Sequence, residues 1–474
     1  MKELNYVFNN KDLKIPINLY EAERYEFAVV VQPLIGNLVI YSNKGRYEPR
    51  IAKSWLVQKD GSWRFEFNRG FTCENGEEIN PSSFKRSIET SIKFLAAKSP
   101  VPVLSKLAGY KEFTAGEADH IAGLEVSSEA LTLRFSEPTR SGVVQILSFA
   151  PFGYICSENR NSDGSWKDEN KFLSSGPYKL IDHQPGKKHV LERRTDWKIA
   201  NINAPQKVHF YLSLDSIENK SLPTILDTFT GLSSPIEGLQ KYNLVPEFIN
   251  PILLGHNSKG KFFASRDNRL MLKKAIAAEK AKLPSEIENH YKTDYFYPNQ
   301  PPKKLEQSFS PGYKYKRPDY PLIIQGKKPE KGDRKYLNWL VLEPALKSLG
   351  IEYIFDDSAK TWSERMSDKY DIRFHGSSIG GGPEAWGLGV VFCSEIGLKF
   401  PDPSGRVCNA VEDYEKGKTS DQEFSDEFNQ AVFDDVSVIP ITHYGVMMYL
   451  SYDIKRDSMS PLISVLRFEQ LELE

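Results

Sequence analysis

Eight histidines and four cysteines are the side chains in these 474 residues best suited to bind metal, move protons or attack as nucleophiles. The histidines are dispersed. His183 and His189 flank a turn and can approach each other, but two imidazoles without further ligands do not make a metal centre. No metal site is expected. The cysteines are Cys73, Cys156, Cys393 and Cys408, with no C-x-x-C spacing, so zinc-ribbon and thioredoxin-type chemistry fails. Cys393 and Cys408 enclose a short loop, whose closure would add about 3 kcal/mol by the chain-entropy relation. Three full pairings are open, and so is a set of buried free thiols.

Other chemistry is excluded by missing patterns. There is no G-x-x-x-x-G-K-[ST], no H-E-x-x-H and no G-x-S-x-G, hence no P-loop, zincin helix or nucleophile elbow. Gly380-Gly381-Gly382 lacks the strand and helix that flank a dinucleotide loop. It reads as a tight or bending segment, because glycine first of all permits unusual backbone angles. Carboxylates are abundant, but the sequence pairs none of them. With no nucleophile and base in a readable arrangement, no catalytic residue, no enzymatic activity and no cofactor is expected.

The elements that must position any remaining site come from an ordinary globular composition. Apolar residues make up 40% and charged residues 26%, enough for a large core. The length suggests two to three domains or one elaborated fold. Sixty-two basic residues face 63 acidic ones, so no field of one sign is available for nucleic acid or an anionic membrane. No apolar run is long enough to span a bilayer. The start, Met1-Lys2-Glu3-Leu4, is not a secretion signal, so the chain is either cytoplasmic or written without its export segment. The 23 Tyr, 27 Phe and 7 Trp suit both core packing and clefts for small organic ligands.

Residues 63–67 alternate apolar and charged, predicting a half-buried strand after the Asp60-Gly61 turn. Asn80-Pro81 opens a helix with Phe84, Ile88, Ile92 and Leu95 on one stripe. Residues 123–126 and 131–135 read as strands. Residues 176–192 read as a hairpin about Pro185-Gly186, and Val208 to Leu214 as a further strand. Asp267 is the expected cap of a helix carrying Leu270, Lys274, Ile276 and Ala277. Residues 296–320, rich in Pro, Lys and Tyr, read as an extended connection. A strand at 321–325, a helix from about Asp333 to Leu349 and a strand at 351–355 make a βαβ unit with a parallel crossover. Pro344 is expected to kink or shorten that helix. Tyr370 to Phe374 is another short strand. Ser420 and Glu423 form a capping box ahead of Phe424, Phe428 and Val432. Ile439 to Tyr452 is β-like and closes the chain.

These phrases line up with a family. Gly45-Arg46-Tyr47-Glu48-Pro49-Arg50-Ile51-Ala52-Lys53-Ser54-Trp55, then Asp60-Gly61, Phe65 to Gly70 and Asn75-Gly76 come first. Phe113 to Gly123 and Ser175-Gly176-Pro177-Tyr178-Lys179-Leu180 ending at Arg193 follow. Leu254-Gly255-His256-Asn257, Arg269 with Lys274-Ala275-Ile276, Tyr370-Asp371-Ile372 and Ile439-Pro440-Ile441 complete the order. The set resembles the peptide-type extracellular solute-binding proteins that serve dipeptide, oligopeptide and nickel ABC importers. The resemblance implies an α/β fold: a two-lobed periplasmic-binding-protein clamshell with mixed sheets and three subregions. Lobe I would comprise 1–40, 168–240 and 440–474, with 41–167 inserted in it, and lobe II 241–439. Ligand binding would close the hinge.

The resemblance also implies site residues. In peptide binders of this family, an Asp after the "Y-D" strand pairs with the ligand's α-amine. Here that position holds Gly380, and a Trp position holds Ser377. Losing the carboxylate removes a charge-assisted bond worth about 1.5–3 kcal/mol. Glu384 and Trp386 are the substitutes in reach, as amine acceptor and stacking wall; a surface carboxylate and a loop-packing Trp are the alternatives. Arg373 offers a fork for a carboxylate or an inter-lobe ion pair. His443 and Tyr444 follow the Ile-Pro-Ile run that the family brings past the cleft, and Glu23 and Tyr25 are candidates for the lobe I wall. The implied function is the substrate-binding component of an ABC importer. It would be monomeric, periplasmic or lipid-anchored, capture a peptide or peptide-like small molecule, and deliver it to a membrane permease. Tyr- and Phe-rich surfaces would hold an extended ligand with little side-chain selectivity. The alternative is a ligand-sensing clamshell that reports a bound solute to a partner protein.

Overall fold

The computed structural model describes the chain except residues 1, 9–14, 16, 20–24, 98–102, 198–200, 202, 218–220, 229–235, 243–247, 259, 288–289, 298–299, 332, 334, 379–384, 394–398, 446, 461–465 and 474, and the side chains of 25, 228, 286, 362–363, 377–378 and 385–386. Two compact units emerge. Met1–Val245 with Val446–Glu474 form the first and Pro246–Gly445 the second, so the chain passes between them twice.

The first unit opens on β1 (Glu3–Val7), followed by β2 (Ala52–Val57) and β3 (Trp63–Phe67). Trp63, Phe65 and Phe67 are all buried, as their alternation requires. Helix α1 (Pro81–Ala96) starts at a full capping box: Asn80 accepts from the Ser83 amide and Ser83 returns the bond. Phe84, Ile88 and Ile92 have no exposed surface. Asn80→Ala is expected to cost about 1 kcal/mol, measured as a lower midpoint of the first unit's denaturant transition; an unshifted midpoint would leave the cap without energetic weight. β4 (Leu124–Val126) and β5 (Ala130–Leu133) complete a sheet in the order β2-β3-β5-β4.

The larger sheet of this unit uses β6 (Tyr178–Gln184), β7 (Lys188–Arg193), β8 (Lys207–Tyr211), β9 (Ile225–Thr228) and β10 (Leu239–Tyr242). Its order is β6-β7-β8-β1-β9, then Met447–Ser451, then β10. β1 runs parallel to β8 and β9, while the β6–β7 hairpin and the returning strand pair antiparallel, so the sheet is mixed. Tyr6, Phe8, Phe210 and Phe468 pack against one another in the core beneath it.

The second unit is built on β11 (Phe248–Leu254), helix α2 (Arg266–Ala281), β12 (His290–Lys292), β13 (Leu322–Gln325), α3 (Tyr336–Ser348), β14 (Tyr353–Asp356), β15 (Ile372–Phe374) and β16 (Ser377–Ser378). It closes with α4 (Arg406–Glu415), α5 (Asp421–Asp435) and β17 (Val438–Tyr444). The main sheet order is β12-β17-β11-β15-β13-β14, with Glu286–Ile287 beyond β12 and β16 beside β11. β13 and β14 are parallel around α3, the expected crossover unit. Ser420 and Glu423 cap α5, whose Phe424, Phe428 and Val432 are buried.

Four local expectations change. α2 is capped by Ser265; Asp267 lies in its first turn and accepts from the Ser310 amide instead. α3 runs on through Pro344. The carbonyl left without a helix partner is that of Leu340, a residue 38% exposed, where water can serve it. The closing β-like stretch splits in two, β17 in the second unit and Met447–Ser451 in the first. Residues 440–445 therefore fall in the second unit and 241–245 in the first, because β17 stays paired to β11 through Tyr444 while β10 stays paired to Met447–Ser451.

All four cysteines pair. Cys73–Cys156 lies within the first unit and Cys393–Cys408 within the second. The Cys73–Cys156 pair carries no local spacing signal, since 83 residues separate its members.

Candidate ligand-binding residues

Register decides which expected residues can act together. Tyr444 ends β17, opposite Phe248 of β11 on one side and His290 of β12 on the other. The three rings stack across the sheet, with centroids 5.2 Å apart for Phe248–Tyr444 and 5.0 Å for His290–Tyr444. Both faces of the Tyr444 ring are therefore covered by its neighbours. What remains is the hydroxyl: a Cβ added at Gly376 would lie 2.9 Å from it and 3.2 Å from Oδ1 of buried Asn250. Gly376 thus lets two polar groups approach the backbone just before β16, which pairs with Phe248 and Ile249 and leads toward the glycine run. Phe248, His290 and Asn250 carry no signal in the sequence, because only strand register sets them beside Tyr444.

His443 points the other way along the alternation. It is buried, and its Nε2–H donates to the Phe296 carbonyl at 2.9 Å, which fixes the tautomer. Burial pushes its pKa down, against the opposing effect of that bond. His443 holds the framework together at this end of the sheet.

Arg373 sits in β15, opposite Leu253, which itself pairs with Val438. Tyr444 lies six residue steps along β17 from Val438, on the order of 20 Å, so Arg373 and Tyr444 are not brought together. Arg373 is 7% exposed, and its fork donates to the Lys399 carbonyl at 2.8 Å and to Met366 Sδ at 3.3 Å. Burial lowers its pKa. Glu23 and Glu384 lie outside the described residues. Tyr25 begins a helix (Tyr25–Val31) and Trp386 lies in another (Ala385–Leu388), their side chains likewise outside the description.

The first unit has a recess of about 490 Å³ lined by Glu74, Lys179, Glu192 and residues 193–196 with Gln206 and Lys207. Within it Lys179 pairs with Glu192 at 2.9 Å and Arg194 with Asp196 at 2.5 Å. The hairpin behind it brings His183 and His189 together, Nδ1 to Nδ1 at 2.8 Å. Among the described residues no group of three or more His, Cys, Asp or Glu could hold a metal ion, and no helix is long and apolar enough to cross a membrane.

Residues 46–220 match the family model described as bacterial extracellular solute-binding proteins, family 5, middle. Over those residues the chain is similar to that family. Solved structures extend the likeness over the whole fold. The murein tripeptide binding protein MppA of Escherichia coli superposes with a TM-score of 0.68 at 15% identity, over 100% of this chain and 98% of that one. NikA of Brucella suis, solved with Fe(III)-EDTA, gives 0.74 at 15% identity over 100% of both chains. OppA of Haemophilus influenzae, solved with the peptide RPPGFSPFR, gives 0.69 at 15% identity over 100% and 99%. No protein of curated function matches the chain in sequence. At these identities the structures establish the fold, that of the two-lobed periplasmic binding proteins. Family 5 is a family of binding proteins.

Proposed function

We propose that this chain is a solute-binding protein serving an ABC importer, capturing a peptide or peptide-like small molecule and presenting it to a membrane permease without chemical change. The observation that carries the reading is the family-5 match at residues 46–220 inside a chain whose fold corresponds end to end to binding proteins of known ligands. Two disulfides support an oxidising location such as the periplasm or the outer cell surface. The two crossings between units would serve as the hinge whose closure ligand binding favours.

On this reading the ligand meets the row at Phe248, Tyr444 and His290, with Glu384 and Trp386 supplying the amine acceptor and wall that Gly380 and Ser377 do not. Arg373, Glu23 and Tyr25 are the further candidates, and His443 supports the row from behind. Native mass spectrometry of freshly purified protein is expected to show a co-purified small molecule, and thermal-shift screening with di- and tripeptides to find stabilising ligands. Phe248→Ala, at a half-buried ring, is expected to weaken such a ligand about tenfold, or about 1.4 kcal/mol, by calorimetric titration. An unchanged Kd removes the aromatic row from the site. A free-amine tripeptide that binds equally well to Glu384→Ala would end the substitution idea.

A further inference from the structure

Two arginines of the first unit are buried, and together they face one carboxylate. Arg50 lies just before β2, and Arg467 and Glu469 lie at a turn near the chain's end (Phe468–Gln470). Their exposures are 2%, 4% and 5%. Arg50 is ion-paired with Glu469. Arg467 donates from Nε to the Tyr41 carbonyl at 3.0 Å. Each guanidinium keeps one bare donor, Arg50 Nη1 and Arg467 Nη1, and Glu469 keeps a bare Oε2.

Among the described residues, Glu469 is the one carboxylate that acts on both guanidiniums. Burial pushes the Arg467 pKa down to about 10, with Arg50 adding to the fall and Glu469 and Tyr47 opposing it. Burial likewise lowers Arg50, against Glu469 and Tyr178. Arg194, the other guanidinium close by, lies 5.8 Å from the centre of the Trp197 ring, as Arg50 does, and is matched by its own partner Asp196. A buried guanidinium whose N–H meets nothing is costly, and a buried net positive charge more so. Proteins resolve this with a counter-charge or a bound water.

We propose that Arg50 Nη1 and Arg467 Nη1 bind a small monovalent anion of chloride size, with a water serving Glu469 Oε2. Two charged donors from distant parts of the chain fit an acceptor-only ion. The bound ion would hold the C-terminal segment to the start of β2, beside a clamp already made there by Asn43. That side chain donates to the carbonyls of Ser458 and Arg467 at 2.8 and 3.0 Å and accepts from the Arg467 amide at 2.8 Å.

The test compares thermal unfolding of the full chain in chloride, bromide and gluconate at one ionic strength. The first unit's midpoint is expected to rise with chloride or bromide and then level off. At a tenfold excess over the dissociation constant the rise should be about 3 °C. Gluconate, a large organic carboxylate rather than a chloride-sized ion, should give no rise. Arg467→Met should abolish the difference between anions. Equal midpoints in all three salts, or a chloride effect that persists in Arg467→Met, would overturn the proposal. If Arg467→Met does not fold, crystals soaked in bromide decide the matter by anomalous scattering. A peak within hydrogen-bond reach of both Nη1 atoms upholds the site, and water density alone overturns it.

Discussion

Replacing Cys73 and Cys156 by serine is expected to destabilise the first unit by about 4 kcal/mol and to leave the second unit's transition where it was. The disulfide closes 83 residues, and the chain-entropy relation assigns a loop of that length about 4.5 kcal/mol of denatured-state restriction. Cys393–Cys408 closes only 15, which gives about 3 kcal/mol. The larger loop holds all of the β2-β3-β5-β4 sheet except β2 and β3, together with most of α1's packing partners, so its release is felt where the family match lies. Each bridge lies within one unit, so the two transitions should respond separately. Calorimetry of the Cys73→Ser/Cys156→Ser and Cys393→Ser/Cys408→Ser double variants reads this directly. Equal losses from the two variants, or movement of both transitions together, would contradict the assignment.

The second large effect is expected with acid. His189 has no exposed surface and faces His183 across the β6–β7 hairpin. Burial, and then the His183 ring, push its pKa down to about 3, against a smaller opposing pull from Asp182. His183 is lowered as well, by burial. In the unfolded chain a histidine titrates near 6.5. Above that pH both states are neutral and nothing is lost. Below it the unfolded state takes up a proton that the folded state refuses, so stability falls as pH drops. The loss is about 1.4 kcal/mol per pH unit, roughly 2 kcal/mol at pH 5 and 4–5 kcal/mol near pH 3. His189→Gln is expected to flatten the stability–pH curve of the first unit by at least one proton between pH 6 and 4, since His183 titrates with its partner. Curves of equal slope for the two proteins would show that the pair is not held neutral.

Local sequence was enough wherever a few neighbouring residues set the outcome. The alternation at Trp63, Phe65 and Phe67, the capping boxes at Asn80 and Ser420 and the strand–helix–strand spacing around α3 all depend on contacts within one or two turns or one hairpin. So did the approach of His183 to His189, whose strands share a tight turn. The ordered phrases through residue 220 also led to the family whose model matches residues 46–220.

Tertiary structure decided what long-range register controls. The sequence offered Cys393–Cys408 as one short loop among three pairings, whereas Cys73 and Cys156 meet only because the fold carries Cys156 back to the Phe71–Thr72 hairpin. It placed Arg373 and Tyr444 in one list of site residues; strand pairing puts them at opposite ends of β17's partners. It could not see Phe248 and His290 on either side of Tyr444, or the bare donors of Arg50 and Arg467, residues 417 positions apart. A hydrophobic period reports which face a residue occupies, but not which distant strand will lie opposite it, and binding groups are made by that second relation.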